Sequence, residues 1–121
     1  MSKLILAVED QEDNMKILRD LLTSAGYEIV EAGNGEEAMA AVAKRRPDLI
    51  LMDIQLPIMD GYEATRRIKA DPALRSIPII AVTSYALSGD EEKARAAGCD
   101  DFVPKPYSPR QLLAKVRQYL V

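Results

Sequence analysis

Three stretches of this chain, Leu4 to Val8, Leu49 to Met52 and Ile79 to Val82, run without a single polar residue. A strand with one wet face alternates apolar and polar side chains, whereas a strand covered on both faces has no reason to alternate. These runs therefore predict a parallel sheet with helices packed on each side. The strands read as "KLILAVE" (3–9), "EIVEA" (28–32), "DLILMD" (48–53), "IPIIAVT" (77–83) and "DFVPK" (101–105).

The segments between them carry helical periodicity. Leu18, Leu21, Leu22 and Ala25 mark the first helix, which Gly26 stops. Ala38, Ala41 and Val42 mark the second, with Asn34 and Glu37 as a cap-like pair. Asp60 and Glu63 head the third, and Ser88 and Glu91 the fourth, which Gly98 ends. Ser108, Pro109 and Gln111 give the fifth a cap, a first-turn proline and a capping-box partner. Leu112, Leu113, Val116 and Leu120 supply its apolar face.

The pattern is α/β, a doubly wound (βα)5 sandwich of flavodoxin-like type, with a parallel five-stranded sheet in the order 2-1-3-4-5. With 121 residues the chain predicts one domain, 1–121, with no linker or low-complexity tract. No apolar stretch is long enough to span a bilayer and the start turns acidic within ten residues, so no membrane association is expected.

A formal charge of −3 argues against direct nucleic-acid binding. The basic stretches "KRR" (44–46) and "TRRIK" (65–69) lack interleaved aromatics and read as solvated helix faces. The single cysteine, Cys99, forbids an internal disulfide; it reads as a buried filler, and a reducing, cytoplasmic location follows. The chain has no histidine, which removes Ser–His and Cys–His catalysis, histidine metal sites and any role as a phosphohistidine donor. Chemistry must run on carboxylates, hydroxyls, lysine and arginine.

In open α/β sheets, sites form beyond the carboxyl ends of the strands, where the strand order reverses. The first strand ends in Glu9 and Asp10, the third in Asp53, the fourth in Thr83 and the fifth in Lys105. Three carboxylates converge there, and two like charges about 4 Å apart repel by about 4 kcal/mol at an effective dielectric of 20. Lys105 neutralises only one of them. A divalent cation closes the balance, and an all-oxygen site suits Mg²⁺. A cation, a lysine and a hydroxyl around one carboxylate are the parts of phosphoryl transfer, with Asp53 as nucleophile and Thr83 donating to a phosphoryl oxygen.

The segments "VED" (8–10), "LILMDIQLPIMDG" (49–61), "AVTSYA" (81–86) and "DFVPKP" (101–106), in this order and spacing, resemble the motifs of response-regulator receiver domains, the CheY-like family, over essentially the whole chain. The resemblance implies that Asp53 is the phosphoacceptor, loaded by a histidine kinase or histidine phosphotransfer protein. It further implies Asp10 as the direct Mg²⁺ ligand, Glu9 as an acid acting through a metal-bound water, and the backbone carbonyl of Gln55 as the third protein ligand. Thr83 is implied as the switch hydroxyl, Phe102 as the switch aromatic, and Lys105 as the phosphate-binding lysine, followed at Pro106 by a cis peptide bond. Two departures stand out. Glu9 occupies a position where many members carry aspartate, and Pro104 lies inside the fifth strand, which must therefore be an edge.

Asp13 and Asp60 read as caps or first-turn acids, and Asp100 and Asp101 as solvated turn residues. A phosphoryl group at Asp53 is expected to draw Thr83 toward it, turn Phe102 inward and alter the surface of helix four, strand five and helix five. Tyr85, Tyr107, Arg110 and Tyr119 are candidate contacts there for a downstream protein. If Val121 ends the chain, this is a stand-alone regulator whose output is protein binding or phosphorelay. Two other functions compete with this one. A Mg²⁺-dependent aspartyl-phosphate phosphatase wants an acid where Gln55 stands, and a phosphate-independent interaction module would not need the full set of site residues.

Overall fold

The computed structural model describes residues 2–83 and 90–120. Its elements follow the sequence reading in kind and order: β1 (Leu4–Val8), α1 (Glu12–Ser24), β2 (Glu28–Ala32), α2 (Gly35–Lys44), β3 (Leu49–Asp53), α3 (Gly61–Ala70), β4 (Ile79–Thr83), α4 (Asp90–Ala97), β5 (Asp101–Pro104) and α5 (Pro109–Tyr119). The strands form one parallel sheet in the order β2-β1-β3-β4-β5. The expected helix start at Ser88, and Tyr85 with it, lie outside the described residues.

Alternation along the strands sorts side chains to the two faces. Leu6, Val8, Ile50, Met52, Ile79 and Ala81 pack with Ala38, Val42, Ala64, Ile68 and Ala94, so α2, α3 and α4 cover one face. Ile5, Ala7, Leu49, Leu51, Ile80 and Val103 pack with Met15, Leu18, Leu22, Leu112 and Val116, so α1 and α5 cover the other. Both periods of two are filled by apolar residues, which is why β1, β3 and β4 show no polar alternation. All five residues of each of these strands are buried. β2, at the opposite edge, has only Ala32 buried and keeps its glutamates.

Local chemistry fixes the helix starts. Asn34 accepts a hydrogen bond from Glu37 N, Asp60 from Glu63 N and Ser108 from Gln111 N. These bonds satisfy amides that have no partner inside the first helical turn. Asp13 lies in the first turn of α1, where its charge faces the positive end of the helix dipole. β4 begins two residues later than the sequence run, because Ile77 N turns back to Leu74 O and Pro78 has no N–H to give.

Pro104 is accommodated at the edge of the sheet. Lys105 N donates to Thr83 O at 2.6 Å, so the amide side of the preceding residue faces outward, where a missing N–H breaks no ladder bond. Asp101 departs from the expected solvated turn. It opens β5 on the same face as Val103, is buried, and accepts from Lys115 Nζ at 3.0 Å and from Tyr119 Oη at 3.1 Å. Asp100 is exposed in the turn, as expected, and its Oδ2 accepts from Ile79 N and from Lys69 Nζ.

Candidate phosphoacceptor site

The register of the sheet brings the strand ends level. Val8 pairs with Met52, Asp53 with Val82 and Thr83 with Pro104. Glu9 follows Val8 directly, so its carboxylate reaches the crevice between β1 and β3, where the strand order reverses. Carboxylate oxygens of Glu9, Asp10 and Asp53 all lie within 4.8 Å of one another. Glu9 and Asp53 are buried, while Asp10 is exposed at the mouth.

Lys105, arriving from beyond β5, lies between the two buried acids. Its Nζ donates to Glu9 Oε1 at 2.7 Å and to Asp53 Oδ2 at 3.1 Å. The remaining carboxylate oxygens accept backbone amides: Gln11 N donates to Glu9 Oε2 at 3.1 Å and Gln55 N to Asp53 Oδ1 at 3.0 Å. The lysine and the amides do not affect the two acids equally. Burial and the neighbouring Glu9 charge push the Asp53 carboxyl up to about 6, against the pull of Lys105 and the Gln55 amide. Burial also acts on Glu9, yet the Lys105 and Gln11 hydrogen bonds outweigh it and hold its carboxyl below the usual range. Lys105 is raised because its two acid partners outweigh its desolvation.

The other residues singled out in the sequence take distinct places. Thr83 is buried at the end of β4, and its carbonyl accepts the Lys105 amide. Gln55 is exposed on the loop after Asp53 and supplies the amide just described. Phe102 is half-buried against the α2–α4 side of the core. The Lys105–Pro106 bond is cis. Beside Lys105 a hollow of about 390 Å³ is lined by Asn14, Ile17, Lys105, Pro106 and Tyr107. Arg110 is exposed, but the Tyr119 hydroxyl is engaged with Asp101 and with Asp100 O. Lys69, read as part of a solvated basic face, instead spends its ammonium on Arg75 O, Ile77 O and Asp100. Cys99 is a buried filler against Thr65.

Two close approaches escaped the sequence reading. A Cβ on Gly61 would lie 2.4 Å from Asp53 O, and one on Gly35 would lie 2.5 Å from Met59 O. Glycine at these positions lets α3 and α2 start against the loop that follows Asp53. The loop between Asp53 and Gly61 is thereby pinned at both of its ends.

The model of the response regulator receiver domain matches residues 5–117. The chain belongs to the response regulator receiver family. This receiver is 48% identical over 120 residues to the polar-differentiation response regulator DivK of Brucella anthropi, a match covering 99% of this chain and 98% of the relative. Its fold superposes on the receiver domain of the sensor histidine kinase PA1611 of Pseudomonas aeruginosa PAO1 with a TM-score of 0.92 and 38% identity, over 99% of this chain and 98% of that one. That structure has a magnesium ion coordinated in its active-site cleft. The chemotaxis protein CheY4 of Vibrio cholerae superposes with a TM-score of 0.93 at 28% identity, over 98% of this chain and 99% of that one. The receiver therefore works in two-component signalling, with the flavodoxin-like fold of the CheY group.

Proposed function

We propose that Asp53 of this receiver is the phosphoacceptor. A carboxylate oxygen of Asp53 attacks the phosphorus of a phosphohistidine on a histidine kinase or histidine phosphotransfer protein. The new O–P bond forms as the P–N bond breaks, and the electron pair stays on the imidazole nitrogen, which takes up a proton from solvent. The single observation that carries this reading is Lys105 Nζ held by both Glu9 and Asp53. It keeps a cation beside the nucleophile, ready to follow charge onto the phosphoryl oxygens.

The donor set fits Mg²⁺. Three carboxylates against one ammonium leave excess negative charge, every donor is oxygen, and Asp10 keeps the mouth hydrated. Asp10, Glu9 (through a water), Asp53 and the Gln55 carbonyl would hold the ion, which supplies neutralisation of the phosphoryl charge. Thr83, buried at the β4 end, acts as the switch hydroxyl and Phe102 as the switch aromatic. Their shift would alter the surface of α4, β5 and α5, where a downstream protein binds. Residues 1–121 act as one receiver domain that catalyses only its own phosphorylation and dephosphorylation. A cytoplasmic location accords with the lack, among the described residues, of a helix long and apolar enough to cross a membrane.

The test is incubation with Mg²⁺ and acetyl phosphate, followed by intact mass. The wild type should gain one phosphoryl group, lost again on hydrolysis, and Asp53→Asn should gain none. Equal labelling of both proteins, or no labelling of the wild type, overturns the assignment.

A further inference from the structure

The hollow beside Lys105 has no part in the phosphoacceptor reading, yet it shares a wall with that site. Asn14 and Ile17 are three residues apart near the start of α1, so they lie on one face of the helix. Pro106 and Tyr107, which follow Lys105 directly, complete the lining of about 390 Å³. That volume falls within the range of small-molecule sites. The Lys105 ammonium lies 3.1 Å from Asp53 Oδ2. The hollow therefore stands no further from the acceptor carboxylate than roughly the span of one lysine side chain.

Its walls are apolar, with two spare polar groups. Ile17 is a large hydrophobic left 55% exposed on α1. Pro106 is exposed and Tyr107 is half-buried. Among the described residues, neither the Asn14 amide nor the Tyr107 hydroxyl has a hydrogen-bond partner. The lysine charge is spent elsewhere, since Nζ donates to Glu9 and Asp53. A cation thus stands at one end, apolar walls at the other, and free donors between. That is the complement of a small molecule with a phosphoryl head, a carbonyl and an alkyl tail.

Resting on the phosphoacceptor reading above, we infer that the hollow is a subsite for the acyl chain of small-molecule phosphodonors, namely short-chain acyl phosphates longer than acetyl phosphate. The phosphoryl group faces Asp53 and Lys105 while the alkyl tail lies along Ile17, Pro106 and Tyr107. In the transfer the bond from an Asp53 oxygen to phosphorus forms as the bond from phosphorus to the acyl oxygen breaks. The electron pair departs on the released carboxylate, so the step needs no proton. The methyl of acetyl phosphate is too short to fill the hollow. Each further methylene laid against these walls leaves water, which favours binding. The tail is held alike before and during transfer, so the gain falls on KM.

The experiment compares acetyl, propionyl and butyryl phosphate as donors to the wild type, Ile17→Gln and Ile17→Leu, with Mg²⁺ present and labelling scored by intact mass. The three released carboxylates have nearly equal basicity, and spontaneous hydrolysis of each donor controls for intrinsic reactivity. In the wild type kcat/KM should rise about two- to fourfold per methylene, or about four- to sixteenfold from acetyl to butyryl, with kcat unchanged. Ile17→Gln keeps a good helix former but turns a polar end into the hollow. It should bring the butyryl-to-acetyl ratio below about twofold, whereas Ile17→Leu should retain the wild-type ratio. Because each ratio is taken within one protein, any misfolded fraction cancels. A flat or falling series in the wild type overturns the inference. So does a rising series that Ile17→Gln leaves intact. A concentration-dependent dimer of the wild type that Ile17→Gln dissolves also overturns it, assigning the hollow to a second copy. Labelling by acetyl phosphate with a flat series removes the acyl subsite alone, while failure of all three donors to label the wild type removes the phosphoacceptor reading and this inference with it.

Discussion

Lys105 is closer to Glu9 than to Asp53, 2.7 Å against 3.1 Å, although Glu9 lies ninety-six positions away in the chain. The shorter bond goes to the acid that stays fully ionised. Asp53 receives the weaker share of the lysine and feels the Glu9 charge besides, so its carboxyl is raised while that of Glu9 is lowered. A carboxylate that is buried but only partly neutralised has a standing reason to bind a cation.

Ionising Asp53 should destabilise the metal-free fold. Its carboxyl sits at about 6 when folded, against about 3.9 unfolded, so the folded state holds the extra proton between these values and stability falls as pH rises through them. Asp53→Asn is expected to stabilise the protein in EDTA at pH 7 by about 1–3 kcal/mol and to lose that advantage near pH 4. Urea unfolding at the two pH values checks the sign.

The same excess charge should appear as metal-dependent stability. If the acid cluster holds Mg²⁺, the free energy of unfolding rises with the logarithm of the Mg²⁺ excess over Kd, by about 2.7 kcal/mol at a hundredfold excess, and the melting temperature rises with it. EDTA should reverse the gain, and Asp10→Asn should weaken it while leaving the metal-free melting point nearly unchanged, because Asp10 is exposed. Differential scanning calorimetry measures both.

Asp101 is the buried acid of opposite sign. Burial works against its charge, but the Phe102 amide, Lys115 and Tyr119 outweigh this and hold its carboxyl low. Its contribution is therefore present above the unfolded value and lost as pH falls through the lower, folded one. Asp101→Ala removes an acceptor from the Lys115 ammonium and from the Tyr119 hydroxyl, and should cost about 1–2 kcal/mol at pH 7 without abolishing labelling of Asp53. Unfolding curves and acetyl phosphate labelling of the same protein separate the two effects.

Gly61→Ala should damage the site through the backbone. The new Cβ would meet Asp53 O at 2.4 Å and Ile54 Cα at 2.8 Å, and neither atom is the loose end of a side chain. A loss of at least about 2 kcal/mol is expected, with slower labelling of Asp53 in the fraction that folds. Stability and labelling unchanged from wild type would show that the α3 start is softer than its packing indicates.

The sheet was legible in the sequence because its code is local. Short unbroken runs such as Leu49–Met52 read as strands covered twice, and Asn34, Asp60 and Ser108 announced their helices through caps that act over three residues. The convergence of Glu9, Asp10, Asp53, Thr83 and Lys105 followed from a general rule about strand ends. What stayed hidden depends on partners far away in the chain. Asp101 looked like a solvated turn acid beside Asp100; only its position on the Val103 face of β5, under Lys115 and Tyr119 of α5, makes it a buried ion-pair acid.

Lys69 looked like one more exposed base until the α3–β4 and α4–β5 turns closed around it. The left-handed turn at Ile58 has no local signal, since it is held by anchors at Gly35 and Gly61. The layers and the set of acids at one edge could be read from residue order alone, because apolar period and strand-end chemistry are written locally, and five βα units then suited the flavodoxin-like strand order. How Lys105 divides itself between Glu9 and Asp53, and which loop residue is held left-handed in solvent, emerged once the strands and loops were assembled. Hydrogen-bond lengths and backbone strain arise where separate segments meet, and no single segment encodes them.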